Sequence, residues 1–155
     1  MKEKDPFKKA RLDGILSALS EGKCGYDELK EAGRAAEHEA IEDIGEASEQ
    51  RFFKFSGHVS FIKNVREATV YEDAYEAIDA WLEFQDCEKL PELPVQIKSS
   101  FKDVCEFKRN GKFKARNEMQ IVINCGPSIA YNGYMTQLKR EIGRVRSLIN
   151  LKPKN

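Results

Sequence analysis

Two kinds of apolar spacing alternate along this chain, and the alternation limits what it can fold into. Phe7, Leu12, Ile15, Leu16 and Leu19 recur at helical spacing. So do Tyr131, Met135, Leu138, Ile142, Val145 and Ile149. Between them lie short apolar runs of strand length, Val95-Gln96-Ile97 and Met119 to Asn124. Helices and strands that each bury one face must cover one another, which predicts an α+β fold. No apolar run approaches the ~20 residues that a membrane helix needs. The basic opening, Met1 to Lys9, has no apolar run behind it and predicts no secretory leader.

Local signals divide the chain further. Asp5 is placed to cap a helix and Pro6 suits its first position, predicting a helix over 5–20. A short helix over 26–33 and a third over 34–49 follow. Arg51-Phe52-Phe53-Lys54-Phe55 and His58-Val59-Ser60-Phe61-Ile62, joined at Ser56-Gly57, predict a β-hairpin. Thr69 with Glu72 forms a capping box, opening a helix that carries Tyr71, Ala74, Tyr75, Ile78, Trp81 and Leu82. Pro91 and Pro94 end that stretch and predict a linker or tight crossover. Cys105 to Lys108 and Phe113 to Ala115 flank Asn110-Gly111, a strong hairpin signal. Gly126-Pro127 breaks the strand over 119–124. Alternation at Ile129, Tyr131 and Gly133 would suit a strand, but the longer periodicity predicts a helix over 134–150. The result is N-terminal helices plus a β-hairpin, then a C-terminal hairpin or strand and an amphipathic helix around one core. All 155 residues suit one domain, with an acidic, mainly helical lobe over 1–90 and a basic, mixed lobe over 95–155.

Charge is where the sequence speaks to function. The formal net charge is zero, but residues 1–100 hold 14 Lys and Arg against 22 Asp and Glu, a net of −8. Residues 101–155 hold 12 against 4, a net of +8. The basic third can bind phosphate or nucleic acid, dock on an acidic partner or a second copy, or face the acidic part of its own fold. Its cations are Lys108, Arg109, Lys112, Lys114 and Arg116 around the Asn110-Gly111 turn, and Lys139, Arg140, Arg144 and Arg146 on the terminal helix. Such a surface can follow a phosphate backbone, with Phe107, Phe113 and Tyr134 as stacking platforms for a single strand.

Nucleophile and metal motifs are sparse. Cys24, Cys87, Cys105 and Cys125 form no CxxC pair, and His38 and His58 lie far from any of them, which predicts no zinc site and reduced thiols in a cytoplasm. Cys105 and Cys125 sit in apolar stretches and are expected in the core. His38 can pair with Glu42 one turn on. No Walker loop, GxGxxG, GxSxG or HExxH occurs. Glu39-x-x-Glu42 and Glu76-x-x-Asp79 each place two carboxylates on one helix face. Two such faces can hold Mg²⁺ against a nucleotide phosphate. That pattern resembles the all-α nucleotide pyrophosphohydrolases, and the resemblance would make Glu39, Glu42, Glu76 and Asp79 the ligands of a catalytic Mg²⁺.

Two further resemblances bear on partners. Ile15-Leu16-Ser17-Ala18-Leu19-Ser20-Glu21-Gly22, followed by Tyr26-Asp27-Glu28-Leu29 and the order helix, helix, helix, hairpin, resembles a winged-helix domain over the first 60 residues or so. Its third helix carries Glu37, Glu39, Glu42, Asp43, Glu46 and Glu49, which a DNA backbone would repel, so the resemblance implies protein contact. Glu118 to Ile129 resembles a strand-then-Gly-Pro pattern in small uncharacterised bacteriophage proteins. That resemblance implies a mobile-element origin and partly β structure over 128–150. Together these features predict a non-enzymatic, cytoplasmic interaction or regulatory protein. Its acidic half would bind a protein partner and its basic segment nucleic acid, with no membrane partner, metal or cofactor. The alternatives are the Mg²⁺-dependent hydrolase and a homodimer joined by its opposite charges.

Overall fold

The computed structural model describes residues 5–85, 90, 92–109 and 119–151. Among them the fold is α+β, with five helices and one four-stranded mixed sheet. The chain divides into two compact units, Met1–Glu46 and Ala47–Asn155.

The first unit is a pair of helices. Helix α1 (Pro6–Ser20) begins as the sequence predicts: the Asp5 carboxylate accepts from the Phe7 N–H at 3.0 Å, and Pro6 stands in the first turn. It packs on the opening half of α2 (Tyr26–Ser56) through small residues. A Cβ on Gly14 would stand 2.6 Å from Ala36 Cβ, and one on Gly33 would stand 3.0 Å from Arg11 Cγ. The two backbones therefore approach more closely than larger residues would allow. Arg11 and Glu37 add an ion pair at 3.8 Å.

Helix α2 corrects three expectations at once. Residues 26–33 and 34–49 form one continuous helix, because Gly33 lies where α1 presses on α2 rather than at an end. Residues 51–56 continue it, so the expected hairpin over 51–62 does not form. The aromatic run favours a strand by propensity, but Ser48, Phe52, Phe55 and Ser56 share one helical face. Phe52 is buried, Phe55 lies 5.4 Å from the Tyr134 ring, and Ser56 Oγ hydrogen-bonds Tyr134 Oη at 2.5 Å. Tertiary packing outweighs a β-propensity that amounts to burial on a sheet in any case. Residues 5–62 thus run as two helices and the start of a strand, not the order on which the winged-helix resemblance rests.

The sheet of the second unit has strand order β1-β2-β3-β4. Its strands are β1 (Ile62–Glu67), β2 (Ala80–Phe84), β3 (Leu93–Lys98) and β4 (Ile121–Asn124). The first three are antiparallel, and β4 runs parallel to β3 with Val95 opposite Ile121. Between β1 and β2 lies α3 (Val70–Glu76), whose capping box forms as predicted: Thr69 Oγ1 accepts from Glu72 N at 3.2 Å and Glu72 Oε2 from Thr69 N at 2.7 Å. The helix expected to reach Leu82 stops at Ala77, which adopts the left-handed conformation at φ 53°. Ile78, Ala80 and Leu82 satisfy an alternating pattern as well as a helical one, and the strand buries Ala80 and Leu82 completely. Pro94 lies inside β3 opposite Trp81, not in a linker.

Parallel pairing demands a crossover, and α4 (Phe101–Arg109) supplies it. Cys105 to Lys108, expected as a strand, lies in this helix. Ser100 Oγ accepts from Asp103 N at 3.1 Å at its start, and Val104 and Phe107 pack on Val122. Asn110-Gly111 and Phe113 to Ala115 lie outside the described residues. Cys105 faces solvent on α4 rather than the core, whereas Cys125 is fully buried. The terminal helix α5 spans Tyr131–Leu151, which overturns the partly β structure implied for 128–150. Tyr134, Leu138, Ile142 and Val145 all enter the core, and only a helix brings these four positions to one side.

The sheet is covered on both faces. Val95, Ile97, Ile121 and Ile123 meet Phe52 of α2 and the apolar stripe of α5 in the main core. Alternation sends Gln96 and Val122 to the opposite face, where α4 packs. The outer edge of β4 is closed by side chains of α5. Gln137 Oε1 accepts from Asn124 N at 2.8 Å and its Nε2 donates to Asn124 O at 2.9 Å. Glu141 Oε1 accepts from Val122 N at 3.2 Å, and Arg144 Nη2 donates to Gln120 O at 2.6 Å. Three side chains on one helix stripe thus take the place of a fifth strand. They satisfy backbone groups that would otherwise be buried unpaired or free to template aggregation.

Candidate functional site

In the second unit, β1, β2 and α5 enclose a groove of about 370 Å³. The pairing of Ile62 with Phe84 brings Phe61 beside Phe84, and their rings stack at 6.5 Å with an 18° tilt. Gln85 N donates to Phe61 O at 2.9 Å and fixes this corner. The opposing wall is one face of α5: Lys139, Ile142, Gly143 and Arg146 follow each other at helical spacing. Ile142 reaches into the core, while a Cβ on Gly143 would meet nothing within 4 Å. The groove is aromatic on one side and cationic on the other. That suits a ligand with a flat apolar body and a negative charge.

The basic residues predicted from sequence separate into distinct groups. Lys108 and Arg144 converge on the buried Glu141: Lys108 Nζ lies 2.6 Å from Oε1 and Arg144 Nε 2.6 Å from Oε2. Burial alone would raise the Glu141 carboxyl, but the hydrogen bonds from Lys108 and Arg144 hold it below the usual carboxylate range. These two cations work inside the fold, where they pin α4 and α5 over the β4 edge. Lys139 and Arg140 are exposed on α5, and Lys139 and Arg146 line the groove. Arg109 ends α4. Lys112, Lys114 and Arg116 lie outside the described residues.

The carboxylates predicted as Mg²⁺ ligands do not form two matched helix faces. Glu39 and Glu42 lie on α2 in the first unit beside Arg34 and His38, and His38 Nδ1 pairs with Glu42 Oε1 at 3.5 Å as the sequence suggests. In the second unit Glu76 is the last residue of α3, whereas Asp79 lies beyond the helix, past the left-handed Ala77. Asp79 Oδ2 accepts from Ile97 N at 2.7 Å, and burial pushes its carboxyl up to about 6. Among the described residues no three His, Cys, Asp or Glu side chains come together as a metal cluster. Burial raises the Cys125 thiol to about 12 and removes it as a nucleophile at neutral pH. Among the described residues no helix is long and apolar enough to cross a membrane.

The Phe61–Phe84 wall escaped sequence reasoning because Phe61 precedes β1 and Phe84 ends β2, two strands whose pairing was not foreseen. The edge-closing residues left a signal: Gln137, Glu141 and Arg144 border the apolar stripe of α5 at spacings of four and three. In comparisons with known proteins, no family model, no curated protein and no solved structure matches the chain. The geometry alone carries the functional reading.

Proposed function

We propose that this protein is a non-enzymatic, cytoplasmic binding protein that takes single-stranded nucleic acid in the groove under α5. A single observation carries the reading: the stacked Phe61–Phe84 pair faces Lys139 and Arg146 across a space of about 370 Å³. Bases stack on aromatic walls with little regard for sequence, and cations lining the same groove can meet the flanking phosphates. Arg140, exposed next to Lys139, extends the basic surface along the helix. The acidic first unit takes the protein-binding role. Leu12, Leu16 and Leu19 stand exposed on one face of α1, and the face of α2 from Glu37 to Glu46 is strongly acidic. Exposed thiols at Cys24 and Cys105 fit a reducing compartment.

Fluorescence anisotropy with labelled single- and double-stranded oligonucleotides at two salt concentrations tests the reading. Single strands should bind more tightly than duplex. Binding should weaken with salt at a log–log slope of about −0.7 for each phosphate neutralised. Lys139→Gln with Arg146→Gln should flatten that slope by about one to two such increments. No binding at low salt, or a slope unchanged in the double variant, removes the nucleic-acid reading. The basic surface would then be left to a protein partner or to a second copy, and sedimentation at low and high salt separates those two.

A further inference from the structure

Helix α3 is amphipathic in the reverse sense. A surface helix normally turns its apolar side to the core and its charges to water. By helical spacing Val70, Tyr71, Ala74 and Tyr75 share one side of α3, and Glu72, Asp73 and Glu76 share the other. The carboxylate side is the one tied to the body of the second unit. Glu72 is the single residue of the helix that is not exposed, and its carboxylate pairs with Arg66 at 3.4 Å. The apolar side faces water, with Val70 88 %, Tyr71 63 % and Tyr75 69 % exposed. The two tyrosine rings lie 5.0 Å apart at a tilt of 34° and form one ridge. At 150–250 Å² for a whole aromatic side chain, they offer roughly 200–330 Å² of aromatic surface. A single patch on a monomer seldom exceeds a few hundred Å², and tyrosine is one of the residues on which interfaces concentrate their energy. Core packing gives these side chains no task, since no residue of α3 is buried.

The charges bordering this ridge say what covers it. Asp73, three residues from Val70, and Glu76, next to Tyr75, are both exposed, and neither has an ion-pair partner among the described residues. A phosphate backbone would be repelled. Two copies laid α3 on α3 would set like charges against each other. A partner carrying arginine meets both features at once, because a guanidinium stacks on an aromatic ring while it pairs with a carboxylate. The fold makes that combination once already, on the body side of the same helix. There the Arg66 guanidinium lies 4.9 Å from the centre of the Trp81 ring and pairs with Glu72 at 3.4 Å and Glu92 at 3.0 Å. The outward side presents aromatic rings and carboxylates without the arginine.

We propose that the outward side of α3 docks an arginine-bearing, partly apolar segment of a partner protein. Tyr71 and Tyr75 take the guanidinium faces, Asp73 and Glu76 take the charge, and Val70 and Ala74 take the apolar side chains between. This surface is separate from the nucleic-acid groove. The groove opens at Phe61, before the start of β1, whereas α3 follows its end, about 20 Å away at the rise of a strand of this length.

The test is a nuclear magnetic resonance titration of the full chain with a capped pentapeptide of alternating arginine and leucine. Its counterpart of alternating glutamate and leucine is the control. Saturable shifts are expected at Val70, Tyr71, Ala74 and Tyr75 with the arginine peptide and not with the glutamate one. Tyr71→Ala and Tyr75→Ala should each weaken binding about two- to fivefold, the weight of an exposed cation–π contact, while Tyr71→Phe keeps it. Asp73→Lys with Glu76→Lys should reverse the preference between the two peptides. Glu39→Gln with Glu42→Gln, on the acidic face of α2, should change nothing at α3. No saturable shift on α3 overturns the proposal. So do equal shifts with both peptides, or arginine-peptide binding that survives Tyr71→Ala and Tyr75→Ala together. Urea unfolding checks that each variant is folded, and if the double tyrosine variant fails that check the charge reversal decides. Oligonucleotide anisotropy run on Tyr71→Ala should match wild type, so failure at α3 and failure of the groove are told apart.

Discussion

Glu141 is a carboxylate buried in an apolar setting, and removing it should cost more than any surface charge of this chain. Its Oε1 accepts from the buried Val122 N–H and meets Lys108 Nζ at 2.6 Å, and its Oε2 meets Arg144 Nε at 2.6 Å. Glu141→Ala would leave two cations without their counter-charge and a backbone N–H without an acceptor. Breaking a buried ion pair from one side costs about 3–5 kcal/mol. The Lys108 and Arg144 side chains are 34 % and 30 % exposed and can regain some water, so the low end of that range applies. Glu141→Gln keeps an acceptor for Val122 and loses only the charged part of the bonding, for about 1.5–3 kcal/mol. The pH dependence has a definite sign. The folded carboxyl is held below its ordinary 4.5, so its contribution is complete above that value and disappears as pH falls through the folded pKa. Trp81 is the only tryptophan and lies in β2, so urea unfolding followed by its fluorescence reports the sheet directly. The wild type should exceed Glu141→Gln, which should exceed Glu141→Ala, and the first gap should close in acid. A Glu141→Ala cost within about 1 kcal/mol of zero would refute the edge-closing role, since that lies inside the range of ordinary surface ion pairs. Equal costs for the two variants would show that the charge, not the Val122 hydrogen bond, is all that matters.

Three further outcomes follow from single positions, each read from the same unfolding curves. Gly126→Ala should destabilise by on the order of 4 kcal/mol or more, because its Cβ would stand 1.9 Å from Ser99 O and the β3–α4 and β4–α5 connections would have to part. Gly143→Ala should stabilise α5 by about 0.8–1 kcal/mol, since the new methyl meets nothing within 4 Å; the same methyl narrows the groove and should weaken oligonucleotide binding. Ala77→Gly should be neutral to stabilising by up to about 1 kcal/mol, because it relieves a left-handed φ of 53° at the cost of a looser unfolded chain. A clear loss there would show that the Ala77 methyl packs usefully.

The legible parts of this fold were those where one local signal had no competitor. The Asp5-Pro6 start, the Thr69–Glu72 capping box, the strands around Val95–Ile97 and Ile121–Asn124, and the long periodicity of α5 all appear where the residues place them. The errors cluster where a segment satisfies two patterns. Phe52, Phe53 and Phe55 suit a strand by type and a helix by spacing, and the choice is made by Tyr134, some 80 residues away in sequence. Ile78 to Leu82 suits both periods, and the choice is made by pairing with β3. In each case the deciding contact is non-local, so no window of sequence contains it. The same reason hid the groove wall: Phe61 and Phe84 are 23 positions apart, and only strand pairing makes them neighbours.

The charge division looks different once the fold is known. The net of +8 over residues 101–155 overstates the cation available to a partner, because Lys108 and Arg144 are drawn onto Glu141 to close the sheet. Among the described residues Lys102 and Arg109 on α4 and Lys139, Arg140 and Arg146 on α5 are the exposed basic residues of this segment, and Lys139 and Arg146 line the aromatic groove. A basic segment serving only to neutralise its own fold would have had no reason to place cations around an open apolar space. That juxtaposition, rather than the net charge, makes ligand binding the better reading of the C-terminal third. It also predicts that Lys139→Gln will affect binding without affecting stability, whereas Lys108→Gln will do the reverse. A Lys108→Gln variant that bound oligonucleotide normally but lost no stability would undo the distinction.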